Sequence, residues 1–156
     1  MEKIGFWKTN NPFGEFSNWY MCRFTFKGIE FISSEQALMY CKAILFNDDE
    51  TAIKILQEKN NKNIKQLGRE VKNYDDAVWA EKRYNIMVEI LKCKFSQNEE
   101  LKELLLNTRG CLIYEASPLD RIWGIGSTNI DDIRGQNLLG KALMEVRDFI
   151  IKNKIN

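Results

Sequence analysis

The sequence predicts an α+β fold: a single compact, mainly helical domain over residues 1–156 with a small antiparallel sheet. Three observations carry this reading. A length of 156 residues is one domain's worth, enough to bury roughly 68–70% of the unfolded surface around one core. Only two prolines occur, and Lys, Glu, Leu and Ile are frequent, which leans toward helix. Apolar residues follow a 3–4 rhythm over the longest stretches, while alternation is confined to short runs. No repeat, linker or low-complexity segment divides the chain.

Residues 21–32 read as a hairpin. Cys22, Phe24 and Phe26 alternate with polar neighbours, and Ile29 and Phe31 continue the pattern after Lys27-Gly28, where glycine permits positive φ. Ser33-Ser34 then offers an N-cap, with Glu35 in the first turn of a helix reaching about Phe46. Asp48 or Asp49 caps a second helix through Leu56, and a third, shorter one spans about Ile64 to Val71. The strongest helical signal runs from Asp75 to about Phe95, where Trp79, Ile86, Met87, Ile90, Leu91 and Phe95 share one face. Residues 99–106 form another helix and Cys111 to Glu115 a short strand. After a glycine-containing loop, a last helix starts near Asn137 and runs to about Lys152.

Composition narrows the chemistry. Hydrophobic residues are 44% and charged residues 29%, the balance of a soluble globular protein. With 23 basic and 22 acidic residues the formal charge is +1, so no global basic field attracts nucleic acid. Histidine is absent, which excludes Ser-His-Asp and Cys-His relays, HExxH zinc sites and any imidazole titrating near neutrality. Acid–base work falls to carboxylates, Lys, Tyr, Cys or water. Cys22, Cys41, Cys93 and Cys111 form no CxxC and have no metal-site spacing. The N-terminus lacks the apolar run of a signal peptide, and no stretch is long enough to span a membrane. These features predict a cytoplasmic protein with free thiols, no membrane association and no metal.

Several residues resist explanation as packing. Glu35 and Lys42 lie seven residues apart, about two helical turns, so both point the same way on a stripe shared with Leu38, Met39 and Phe46. A carboxylate and an ammonium on an apolar stripe pair with each other or line a cavity. The plain alternative is a surface capping residue and a snorkelling lysine. Ser117 to Gly126 has the composition of an ordered loop. Gly124 and Gly126 would let backbone amides approach a phosphate, Trp123 would wall a flat ring, and Asp120 would bind a ribose or make an Asx turn. Asn137 is a good N-cap, and with Gly140 in the first turn a phosphate would reach the helix amides; ordinary capping and close packing are the alternative. Trp79 and Arg83, one turn apart, suit a cation–π or guanidinium–phosphate contact, or else are a core Trp and a surface Arg. Gly68-Arg69 interrupts a helical stretch and is equally open.

In order, the chain carries Pro12-Phe13-Gly14-Glu15-Phe16-Ser17-Asn18, Ser34-Glu35-Gln36 with Lys42-Ala43, and Leu67-Gly68-Arg69. Trp79 with Arg83 and Met87 follows, then residues 94–98 (Lys-Phe-Ser-Gln-Asn), Glu115 and Asp120. Residues 123–126 (Trp-Gly-Ile-Gly), 137–140 (Asn-Leu-Leu-Gly) and 144–147 (Met-Glu-Val-Arg) close the set. This ordered set resembles the NADAR, or YbiA-like, family over about residues 6 to 150. The resemblance implies an N-glycosidase that uses no cofactor. Its implied substrate is ADP-ribose on the exocyclic amino group of guanine in nucleic acid, with an ADP-ribosyltransferase toxin as counterpart, or a related ribosylamino-pyrimidine phosphate of riboflavin synthesis. It implies Glu35 and Lys42 as catalytic residues. Asn18, Arg69, Trp79 and Arg83 would bind substrate, together with Asp120, Trp123, Gly124, Gly126, Asn137 and Gly140. Two positions depart from the familiar pattern: Gln36 stands where many relatives carry His, and Met39 where many carry Gln.

Without histidine, Glu35 would serve as acid and base if burial raises its pKa. Lys42 would either pair with Glu35 and a phosphate, or attack the ring-opened sugar and form a Schiff base that water releases. A reading from another class, a non-catalytic ADP-ribose or nucleotide-binding module, leaves the retained acid without a task.

Overall fold

A computed structural model describes residues 2–155, with side chains described through residue 153. These residues group into two compact units: residues up to Tyr20 together with those from Phe95 onward, and Met21–Lys94.

The second unit begins with the hairpin. Strand β2 (Phe24–Phe26) pairs antiparallel with β3 (Ile29–Phe31), placing Phe24 opposite Phe31. Lys27 and Gly28 both have positive φ (52° and 79°), the two-residue turn that matches strand twist. Helices α1 (Ser34–Leu45), α2 (Asp49–Gln57), α3 (Asn61–Arg69) and α4 (Asp76–Ser96) follow. Their starts are set by side chains: Ser33 accepts from the Gln36 amide, Asp48 from Thr51, and Asn60 from Lys62 and Asn63. The Asn60 cap explains why α3 begins three residues earlier than periodicity predicts. Gly68 does not break that helix. A Cβ there would collide with the sulfur of Met39, so the glycine lets α3 close on α1. Phe31, Leu38, Ile55, Ile64 and Met87 are all but inaccessible to solvent.

The first unit holds β1 (Lys3–Phe6), the short helix at Gly14–Phe16, α5 (Glu99–Leu106), β4 (Leu112–Glu115) and α6 (Leu138–Ile155). Strand β1 pairs with β4 in parallel, from Lys3 opposite Leu112 to Phe6 opposite Glu115. The antiparallel hairpin predicted from alternation is therefore joined by a second, parallel two-stranded sheet. Phe16 anchors this core, edge-on to Phe6 at 5.8 Å and 5.9 Å from Phe95. Buried Arg147 on α6 donates to the carbonyls of Thr108 (2.8 Å) and Cys111 (2.9 Å), tying the helix to the turn that leads into β4. No helix among the described residues is long and apolar enough to cross a membrane.

Gln36, which occupies the position where many relatives carry His, is a structural clamp. Its Oε1 accepts from the Ile32 amide at 2.9 Å, and its Nε2 donates to the carbonyls of Ile55 (3.0 Å) and Glu58 (3.2 Å). One amide side chain thus serves the exit of β3 and the C-terminal end of α2, adding to the weak 3.3 Å bond that the Ile55 carbonyl accepts from the Glu58 amide. Gln36→Leu should lower unfolding free energy by about 1–3 kcal/mol, because the half-buried Ile32 amide and Glu58 carbonyl lose these bonds and the buried Ile55 carbonyl keeps only its longer bond from the Glu58 amide. The denaturant midpoint measures this, and a midpoint equal to wild type would refute the clamp.

Candidate active site

The residues singled out in the sequence fall into one set in each unit. In the second unit, Ser33 Oγ caps α1 and also donates to Asn61 Oδ1 at 2.7 Å, fixing the end of α1 that carries Glu35. Glu35 is only 7% exposed, so it is not a solvent-facing capping carboxylate. Lys42 does not snorkel freely either. Its ammonium lies 4.7 Å from the centre of the Tyr74 ring and 5.9 Å from that of Trp79, contacts each worth about 0.5–2 kcal/mol. Burial draws the Lys42 pKa below its ordinary value; the Glu35 carboxylate opposes this, Arg69 reinforces it and Asp76 opposes it.

Tyr74 is absent from the residues that sequence reasoning selects, because it stands in the non-periodic segment between α3 and α4. It is nonetheless fixed. Its hydroxyl donates to Asp76 Oδ1 at 2.7 Å and its ring packs edge-on against Phe46 at 5.4 Å. Partial burial and the Asp76 carboxylate push the hydroxyl pKa up to about 12, so it remains a donor. Trp79 and Arg83 are both buried, which replaces the plain reading of a surface Arg. Arg83 Nε has no hydrogen-bond partner among the described residues, a donor that a ligand oxygen would satisfy. Arg69 is exposed at the end of α3.

In the first unit, residues 120–126 run against residues 134–139. The amides of Arg134, Gln136, Asn137, Leu138 and Leu139 donate to the carbonyls of Ile125, Arg121, Gly124, Ile122 and Trp123 at 2.8–3.1 Å. Gly135 permits the approach, since a Cβ there would sit 2.7 Å from the Arg121 carbonyl oxygen. Asp120 Oδ1 accepts from the amides of Ile122 (2.9 Å) and Trp123 (2.8 Å), the Asx turn rather than a free ribose acceptor at that oxygen. Gly124 lies so close to Glu115 that a Cβ would be 2.8 Å from Oε2, and Gly126 has φ +71° with Arg121 packed against it.

This pairing corrects the expected phosphate cradle at the start of α6. The Leu138 and Leu139 amides are already engaged by the loop. Asn137 holds the N-cap position, its carbonyl accepting from the Lys141 amide at 3.0 Å, but its side chain is spent on β4: at φ 54° its Oδ1 accepts from the Glu115 amide and its Nδ2 donates to the Ile113 carbonyl, both at 3.0 Å. A Cβ on Gly140 would collide with the Ile113 carbonyl oxygen and the Asn137 side chain. Both residues serve close packing on β4. The Trp123 ring is half-buried and Asn18 is buried.

Burial pushes the thiol pKa of Cys41 up to about 11 and also raises those of Cys22 and Cys93, which makes these thiols poor nucleophiles. No group of three or more Cys, Asp or Glu among the described residues is placed to hold a metal ion.

A NADAR domain model matches residues 5–151. An N-glycosidase of Acanthamoeba polyphaga mimivirus is 41% identical over 145 residues, covering 85% of this chain and 85% of that protein. The N-glycosidase YbiA of Escherichia coli is 29% identical over 151 residues, 97% of this chain and 90% of that protein. A riboflavin biosynthesis protein of Vibrio vulnificus is 32% identical over 147 residues, which are 94% of this chain and 38% of that protein. The solution structure of Escherichia coli YbiA is similar with a TM-score of 0.86 at 27% identity, covering 99% of this chain and 88% of that one.

The charges around Lys42 make a signed prediction. Arg69→Gln removes a cation that holds the ammonium pKa down, so Lys42 should titrate at higher pH than in wild type. Glu35→Gln removes a carboxylate that holds it up, so Lys42 should titrate at lower pH. Lysine side-chain NMR across pH reads both, and shifts of the opposite sign would overturn this electrostatic picture.

Proposed function

The chain belongs to the NADAR domain family, and on that premise we propose that it is a hydrolase of N-glycosidic bonds that removes ADP-ribose from the exocyclic amino group of guanine. The observation that carries the reading is a buried carboxylate, Glu35, acting electrostatically on a lysine of the same helix whose ammonium lies against two aromatic rings. The N-glycosidase names of the mimivirus and Escherichia coli relatives support the bond class.

Breaking this bond requires a proton on the leaving nitrogen and a partner for the anomeric carbon. Lys42, drawn toward its neutral form by burial and Arg69, attacks C1 of the ring-opened sugar. The ring-opened sugar is joined to guanine as an imine, C1=N; addition of Nζ converts this to an aminal as an Nζ proton passes to the guanine nitrogen, and the C1–guanine nitrogen bond then breaks. The guanine amine leaves with the proton supplied by Glu35, and a Schiff base remains on Lys42. Water, deprotonated by the Glu35 carboxylate, adds to C1 and releases the sugar and the lysine amine. Arg83, with its unsatisfied Nε, and Arg69 hold phosphate oxygens. Trp79 offers a ring face, while for Asn18 and Trp123, in the other unit, the substrate contact is what the resemblance implies. Asp120, Gly124, Gly126, Asn137 and Gly140 act by shaping the segment that presents Trp123.

A ribosylamino-pyrimidine phosphate has the same type of scissile bond, and the name of the Vibrio vulnificus relative favours it as a second reading. An enzyme that ADP-ribosylates guanine is the class of reaction that would supply the first substrate. Four free thiols suit a reducing, cytoplasmic setting.

Purified protein incubated with an ADP-ribosylated guanine oligonucleotide, ADP-ribosylated protein and the ribosylamino-pyrimidine phosphate should release ADP-ribose from the first; turnover of the pyrimidine alone would establish the second reading. Glu35→Gln should cut turnover by about 10²–10⁴-fold, and a near-wild-type rate would sink the acid assignment. Borohydride during turnover should leave a sugar adduct on Lys42 by mass spectrometry. Its absence under active turnover would remove the Schiff-base route.

A further inference from the structure

Helix α3 carries a basic pattern of which the core uses nothing and the proposed substrate site uses only Arg69, at its end. Lys62, Lys65 and Arg69 are all exposed, and at about 100° per residue they fall within an arc of about 60°. They form a stripe about 10 Å long, room for a few consecutive phosphates of one nucleic-acid strand. The helix itself contains no acidic residue, although the whole chain is almost charge-balanced. Glu70, which follows it, is engaged by Gln66 at 3.0 Å.

The three cations make no ion pair among the described residues, whereas nearby lysines do. Lys54 and Lys72 share Glu50, and Lys92 pairs with Glu89. The stripe is also held in register with the site. Ile64 is fully buried, Gly68 is seated on Met39 of α1, and Asn61 accepts from Ser33 at the start of α1. Its far end, Arg69, is close enough to Lys42 to lower that ammonium's pKa.

We propose that the exposed Lys62–Lys65–Arg69 stripe of α3 binds the phosphodiester backbone of a single-stranded nucleic acid and leads its modified guanine to Lys42. The inference rests on the glycosidase reading and deepens it: a nucleotide with one phosphate would have no use for a stripe that runs away from the site. The strand is unpaired because guanine's exocyclic amine lies on its pairing edge and opens only to the narrow minor groove in a duplex.

The test uses an unmodified, fluorescein-labelled single-stranded DNA oligonucleotide and measures anisotropy between about 50 and 200 mM salt, the range in which counterion release dominates. Lys62→Gln with Lys65→Gln should make the slope of log affinity against log salt shallower by about 1.4, at about 0.7 per lost single-strand contact. The loss of affinity should therefore be about sevenfold greater at 50 mM than at 200 mM. The control, Lys54→Gln with Lys72→Gln, should keep the wild-type slope. A slope unchanged in the first variant, or reduced equally in both, would overturn the proposal. Because the probe carries no ADP-ribose, this outcome is independent of glycosidase activity. If the wild type binds with the predicted slope yet cleaves nothing, the catalytic reading fails and the stripe stands.

Discussion

The described irregular segments around β3, β4 and the end of α2 depend on one constraint: buried backbone amides and carbonyls must find partners where helix and sheet do not supply them. Three side chains meet it at distant places in the sequence. Gln36 serves the exit of β3 and the last turn of α2. Arg147 serves the turn before β4. Asn137, in a left-handed conformation, serves β4 itself. Each is polar, buried and multivalent, and each resembles a functional residue when seen only as a letter in a motif.

The same accounting separates scaffold from site. Where a polar side chain spends its hydrogen bonds on backbone, as Asp120 Oδ1 and Asn137 do, little remains for a ligand. Arg83 differs, because its buried Nε lacks a partner. Lys42 is held chiefly by ring faces, which stabilise a cation without consuming its N–H donors or fixing its direction. A lysine gripped this way keeps its Nζ free to turn toward an incoming sugar once it has lost its proton, which a direct salt bridge would restrict.

Local chemistry was legible in the sequence and long-range pairing was not. Ser33 and Asp48 were readable as caps because a cap acts within three residues. The hairpin turn at Lys27-Gly28 was readable for the same reason. Strand β1 was not, since its partner β4 lies near the other end of the chain and four residues carry too little periodicity. The Glu35–Lys42 face emerged from helical spacing, but Tyr74 has no spacing to betray it. The cap position of Asn137 is readable, but the use of its side chain is not, because its partners, Ile113 and Glu115, are distant in sequence. Gly68 looked like a helix break because its reason, the Met39 side chain, is on another helix.

The amide at position 36 has an effect that reaches beyond packing. A neutral clamp holds the same bonds at any physiological pH, whereas an imidazole there would gain and lose a proton. With no histidine elsewhere and three of the four thiols raised by burial, the folded chain offers very little background buffering between about pH 5 and 8. Calorimetry of ligand binding in buffers of different ionisation enthalpy would therefore count protons against an almost silent scaffold. Any exchanged proton would then come from the ligand, from the α-amino group, or from a side chain whose protonation the ligand itself changes.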